Sequence, residues 1–247
     1  MHGRWFALAL ILVVAFAGPT TTLAGDARPV VVELFTSEGC SSCPPADAFL
    51  AELVKRPDVL ALAFHVDYWD YLGWTDRFAS PEFTRRQRAY AAALGSAMVY
   101  TPQAVVDGAA HVVGSDRGRL GRLIDEAKAN DSTVAIDLAW TSEGNLRVSV
   151  PAADFRGDAT VWFVRFDAHG SSEVTDGENA GKTLHHVNIV RELKAIGMWD
   201  GSEFAVTLPA EAVKPPAADG DGYGCAIIVQ PEGLGPVLGA RLIDASS

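Results

Sequence analysis

The sequence is short of cysteine, of positive charge and of long apolar runs, and each shortage narrows what the chain can do. Three cysteines in 247 residues exclude a disulfide-stapled scaffold, and the count is odd. Cys40 and Cys43 are spaced to pair. Cys225 is left over in the apolar run Cys225-Ala226-Ile227-Ile228-Val229, the setting of a buried, inert thiol. Against 31 Asp and Glu there are only 20 Lys and Arg, a formal net charge of −11. With no clustered basic face, nucleic acid and anionic membrane surfaces are poor partners. No phosphate loop, Ser-His-Asp order or carboxylate pair in the sequence rises above chance, and it has no internal repeat or low-complexity tract. Its N-terminal apolar run, Trp5 to Ala17, is shorter than the roughly 20 residues of a transmembrane helix.

That run fits an export signal instead. Arg4 supplies the positive end, and Thr22-Leu23-Ala24 resembles a small-residue cleavage site, so residues 1–24 are expected to be removed. No cysteine sits at the cleavage point to take a lipid. The mature chain is expected to be periplasmic or secreted, without membrane attachment, in a compartment where disulfides persist.

The stretch Val30 to Pro45 carries the chemistry. Val30 to Phe35 reads as a buried strand, Thr36 to Gly39 breaks it, and Cys40-Ser41-Ser42-Cys43 precedes Pro44-Pro45 at the first turn of a helix. A C-x-x-C at a helix start sets its first sulfur where the dipole and free N–H groups favour thiolate. A helix is expected over Ala46 to Lys55, and a second buried strand over Val59 to Val66. Ser80 and Pro81 open a helix that ends before Gly95. Ala104-Val105-Val106 and His111-Val112-Val113 form a hairpin about Asp107-Gly108, and a last helix carries Leu120, Leu123, Ile124 and Ala127 on one face.

The order β-α-β-α-β-β-α with this motif resembles the thioredoxin fold over about residues 28–130. That resemblance implies a cis peptide before Pro102, lying against the active-site disulfide. Locally, Thr101-Pro102-Gln103 and Gly114-Ser115-Asp116 resemble the stretches that hold glutathione in glutaredoxins. From residue 131 to 247 short alternating strands separated by turns suggest an antiparallel β-sandwich domain. Thr183 to Ile196 fits either a strand or a glycine-ended helix. Over its full length the chain resembles a family of secreted bacterial proteins catalogued as domain of unknown function 1223. The residues that carry this likeness are Glu33 to Pro45, His65 to Asp70, and Gly177-Glu178-Asn179 running on to Val190-Arg191.

The expected function is thiol–disulfide exchange with protein thiols or a periplasmic redox partner, the Cys40–Cys43 disulfide being the redox group and no further cofactor being needed. Cys40 is the expected nucleophile, Cys43 resolves, and Pro102 shapes the substrate face. Glu33, inside an apolar strand, is either a proton carrier for the resolving thiol or the partner of an arginine. Trp69, with Tyr68, Tyr71 and Trp74, lines a groove beside Cys40 or simply packs. Arg85, Arg86 and Arg88 mark a solvated helix face, pair with acids or hold a carboxylate ligand. The alternative is a non-catalytic binding module for peptide or for copper or zinc, with a structural disulfide and with His65 or His111 as a metal ligand.

Overall fold

The computed structural model describes residues 28–129, 134–214 and 222–243. The expected export signal and the expected domain boundary at 130/131 lie outside the described residues.

β1 (Val30–Thr36) is buried along its whole length, as a largely apolar strand covered on both faces should be. α1 (Pro44–Leu53) follows, with Cys43 as N-cap and proline in its first turn. β2 (Val59–His65) runs parallel to β1, from Val30 against Val59 to Thr36 against His65. In α2 (Pro81–Ala93) the Ser80 hydroxyl accepts the Glu82 N–H at 3.2 Å. β3 (Gln103–Val106) and β4 (Ala110–Val113) make the hairpin, and Asp107 and Gly108 take the positive φ angles, 50° and 64°, that its turn requires. α3 (Arg117–Lys128) starts at Asp116, whose carboxylate accepts the Arg119 N–H.

The later elements are β5 (Asp137–Trp140), β6 (Leu146–Val150), β7 (Ala159–Glu173), β8 (Thr183–Trp199), β9 (Phe204–Leu208), a one-turn α4 (Ala210–Val213), β10 (Tyr223–Pro231) and β11 (Gly239–Ile243). The ambiguous stretch Thr183 to Ile196 is strand, because it pairs with β7 from Thr183 against Glu173 to Trp199 against Ala159. Tertiary pairing overrides a weak helical period.

The chain is a mixed α/β protein built on one large sheet, ordered β11-β10-β7-β8-β2-β1-β3-β4 among the described residues. The strands expected to form a separate sandwich extend the first sheet instead. β8 lies parallel beside β2, aligning Ile189 with Ala63, and so covers an edge of unpaired N–H and C=O groups. Sandwich packing is only local. The small sheet β5-β6-β9 lays Leu146, Val148 and Val150 on Val161, Phe163 and Ile227 of the large one.

The large sheet also curls. Register shifts in the β7–β8 pairing, at Val161/Trp162 and Arg165/Phe166, mark bulges that increase twist and bend. Its two ends consequently meet: Val237 N–H donates to the Asp107 carbonyl at 2.8 Å, and Phe35, Phe64 and Ile228 share one core beneath α2. Each such side chain, fully buried, contributes roughly 1.5–3 kcal/mol.

Alternation along β1 decides which residues face which helix. Val30, Val32 and Leu34 pack on α1 and α3, whereas Val31 and Phe35 pack on α2. Glu33 shares the α2 face, where Arg86 Nε and Nη2 donate to its carboxylate at 2.5 and 2.8 Å. The expected proton carrier therefore turns away from α1 and the dithiol, and its arginine-paired alternative is the one found.

Candidate functional site

Seven residues link the end of β1 to α1. Cys40 N–H donates to the Ser37 carbonyl and Cys43 N–H to the Cys40 carbonyl, both at 3.2 Å, a tight turn that brings the two cysteines together. They form a disulfide, with Cα atoms 5.5 Å apart. Ser41 and Ser42 are exposed, yet Cys40 retains 1% of its accessible surface and Cys43 none. Cys225, the remaining cysteine, is buried and free, and burial pushes its thiol up to about 12.

The Thr101–Pro102 peptide is cis. Ser42 hydroxyl donates to the Thr101 carbonyl at 3.4 Å, so this loop adjoins the disulfide turn. Trp69 joins the same place, its indole N–H donating to Thr101 Oγ1 at 2.8 Å while its Cβ abuts Gly39. A methyl on Gly39 would sit 2.9 Å from that Cβ, so glycine is what lets the indole close on the loop. Cys40, Cys43, Thr101, Pro102 and Trp69 are thus brought together. Gly114 lies beneath Pro102, where an added Cβ would come within 2.6 Å of Leu34 Cδ1. Its place is one of close packing. Ser115 is half-buried in the turn before α3, and the Asp116 carboxylate is taken up by the helix cap.

Sequence reasoning missed the polar cluster behind this loop. His65 Nδ1 stands 2.7 Å from Asp76 Oδ2, which also accepts the Glu38 N–H at 2.9 Å, and Asp76 Oδ1 accepts the Phe78 N–H. Glu38 Oε2 accepts the Trp74 indole N–H at 2.7 Å, and its Oε1 is 3.3 Å from His186 Nε2 without hydrogen-bond alignment. The rings of His65 and His186 meet nearly perpendicular, centroids 4.6 Å apart. Asp47, one turn into α1, accepts from the Thr36 hydroxyl at 2.8 Å.

All five acids and imidazoles of the cluster are buried. Burial pushes the Asp47 carboxyl up to about 6, with Asp76 and Glu38 adding to the rise and His186 opposing it. Burial acts in the same direction on Glu38 and Asp76. There it is outweighed, by His186 and the Trp74 N–H for Glu38 and by His65 for Asp76, so both carboxyls lie below their ordinary values. One signal pointed here: His65 and Glu38 both lie in the stretches that carry the family likeness.

The second missed element arrives from far along the chain. The β7–β8 turn brings Asn179, fully buried, to donate to the carbonyls of Glu38 at 2.8 Å and Cys40 at 3.0 Å. Beside it, Glu178 Oε2 accepts the Ser41 N–H at 3.1 Å, and hydrogen bonding from the Ser41 side chain first and this N–H second lowers its carboxyl from the usual range.

The metal ligands considered from sequence lie apart. His65 is engaged by Asp76, His111 Nδ1 pairs with the Tyr100 hydroxyl at 2.9 Å, and His185 is exposed where His186 is buried. Among the described residues no three His, Cys, Asp or Glu side chains are placed to hold a metal ion. Of the three arginines, Arg85 and Arg88 are exposed and Arg86 is buried on Glu33.

A family model described as a protein of unknown function, DUF1223, matches residues 31–230. The crystal structure of an Agrobacterium tumefaciens protein is 36% identical, with a TM-score of 0.74 over 91% of this chain and 98% of that one. HBP35 of Porphyromonas gingivalis superposes with a TM-score of 0.59 at 14% identity, over 87% of this chain and 74% of that one, a likeness of fold alone. No curated protein matches the sequence. By its matched length and its identity to the Agrobacterium protein, the chain belongs to the DUF1223 family.

Proposed function

We propose that the protein is an exported thiol–disulfide exchange protein whose first half is thioredoxin-like and whose substrates are protein thiols in the periplasm. The observation that carries this is the closed Cys40–Cys43 disulfide at the start of α1, with the Thr101–Pro102 loop beside it. The export signal read at residues 1–24 supplies the compartment.

The step needs only sulfur chemistry. A partner thiolate attacks Cys40 Sγ, a new S–S bond forms there, and the Cys40–Cys43 bond breaks with its electron pair left on Cys43 Sγ. A second thiol of the partner, deprotonated, then attacks the partner sulfur of that mixed disulfide and releases Cys40 as thiolate. The partner dithiol loses two electrons and two protons; the Cys40–Cys43 pair gains them. Run backward, the same atoms reduce a partner disulfide, with Cys40 attacking and Cys43 resolving. Pro102 backs the sulfurs, and Thr101 with Trp69 frames their approach. Ser37 to Cys43 supplies no cation to the thiolate, and Glu38 and Glu178 oppose it, so the Cys40 thiol is expected to be only moderately more acidic than the ordinary value of about 8.5.

A Cys43→Ala variant cannot resolve its mixed disulfides and should accumulate adducts on Cys40 in the periplasm, released by reductant. A second reading, a non-catalytic module binding peptide or copper or zinc with a structural disulfide, is favoured by the burial of both sulfurs. Absence of adducts together with an equilibrium potential below about −300 mV would favour that reading.

A further inference from the structure

The burial of Cys40 is a property of what lies on it. Its neighbours Ser41 and Ser42 are exposed, so the turn is at the surface, yet Cys40 itself is 1% accessible. Trp69 closes one side through Gly39 and Thr101. The β7–β8 tip, residues 174–182, closes another. It is an ordered turn, with Val174 N–H on the Lys182 carbonyl at 2.9 Å and Gly181 N–H on the Val174 carbonyl at 2.8 Å. Lys182 Nζ donates to Asn179 Oδ1 at 2.9 Å, which orients the amide so that its NH₂ faces the Glu38 and Cys40 carbonyls. Among the described residues the tip's hydrogen bonds to the disulfide turn are those two and the Glu178–Ser41 contact.

Resting on the exchange reading above, we propose that this tip is a redox-sensitive latch, closed over the disulfide and released when the pair is reduced. In the disulfide both sulfurs are neutral. Two-electron reduction by a dithiol, which becomes a disulfide, leaves two thiols in place of the disulfide, and ionisation of the Cys40 thiol puts negative charge next to Ser41, whose N–H is held by the Glu178 carboxylate. The groups facing that charge are mostly anionic. Glu178 on the tip and Glu38 and Asp76 behind the turn repel it, while Lys182 is bound to Asn179 and His186 is turned to Glu38. Like charges gathered about one turn disfavour one another, and the small set of tip contacts is what yields. Opening of the tip exposes the reduced Cys40 as nucleophile toward a partner disulfide, and reclosing covers the reoxidised pair.

Hydrogen–deuterium exchange across residues 174–182 tests the latch on the full mature chain, oxidised and after reduction by dithiothreitol. Faster exchange of the tip in the reduced protein, by about tenfold, is expected, the factor that ~1.4 kcal/mol of lost hydrogen bonding gives. Glu178→Gln, an exposed site, should shrink the contrast between the two forms. Asn179→Ala should speed reduction of the disulfide by about tenfold as two hydrogen bonds are lost. Equal protection of the tip in both redox states overturns the latch, even where the Cys43→Ala trap captures partners. A redox-dependent tip with no trapped partner leaves the latch standing and removes exchange as the function. Should Asn179→Ala fail to fold, the wild-type and Glu178→Gln comparison decides alone.

Discussion

Glu33 and Glu38 are five residues apart in sequence, equally buried, and set in opposite surroundings. Glu33 meets a full complement of donors: Arg86 through two nitrogens, and the Tyr90 hydroxyl at 2.5 Å. Gln230 reaches in from β10, its Oε1 taking an Arg86 N–H and its Nε2 donating to Tyr90. Arg86 also lies over the rings of Phe64, Tyr90 and Trp162. One anion meets one cation and the network is satisfied. Glu38 shares its pocket with Asp76, Asp47 and two imidazoles, and its Oε1 and both ring nitrogens of His186 lack a hydrogen-bond partner. Both clusters hold buried charge; only the second has unspent donors and acceptors, and only the second touches the disulfide turn. A saturated buried network holds the fold, whereas an unsaturated one retains the capacity to exchange protons or partners.

The largest break in that comparison should come from the satisfied side. Arg86→Met strands a buried anion and Glu33→Gln strands a buried cation. Each is expected to lower unfolding stability by roughly 3–5 kcal/mol in urea titrations. The pH profile of disulfide exchange should stay unmoved in Glu33→Gln; a displaced profile would return Glu33 to the chemistry.

A smaller effect is expected at Asp47. Its folded value of about 6 exceeds the unfolded one near 3.8, so the native state holds a proton that the unfolded chain releases between them. Stability from this group therefore falls as pH rises from about 4 to about 6 and is level above that, by up to roughly 3 kcal/mol. Asp47→Asn should abolish this slope and be the more stable form at pH 7. Unfolding curves at pH 4, 5, 6 and 7 measure it, and a retained slope would mean the titrating group lies elsewhere.

The least change is expected for Asp76→Asn, which keeps the shape but loses the anion between His65 and the Glu38 N–H. Because the Asp76 carboxyl lies below its ordinary value, its contribution is present above pH 3.8 and is lost as pH falls through the folded value. The variant should lose roughly 1–3 kcal/mol at pH 7 and less at pH 3. A loss equal at both pH values would show that shape, rather than charge, is what Asp76 provides.

Much of the first half was legible in the residues. The largely apolar β1 and β2, the proline-started α1, the Ser80 cap of α2 and the Asp107-Gly108 turn are local signals, and each element lies within a few residues of its expected place. That Pro102 and Thr101 should lie near Cys40 and Cys43 was implied by resemblance, whereas the aromatic stretch left Trp69 open between lining that place and packing. The side toward which Glu33 points was not, since a central strand covered on both faces shows no alternation to reveal it. Nor did any local pattern place His65 on Asp76, or bring Asn179 to carbonyls 139 and 141 residues away.

Period and punctuation thus decided which segments are strand or helix and where a C-x-x-C sits between them, because those choices depend on neighbours within a turn or two. The pairing of β8 with β2, the curl that joins the ends of the sheet, and the bonding of Asn179 in the β7–β8 tip to the Cys40 carbonyl were decided only in three dimensions. They rest on edge strands needing partners and on buried polar groups finding theirs, and neither need names its partner in the sequence.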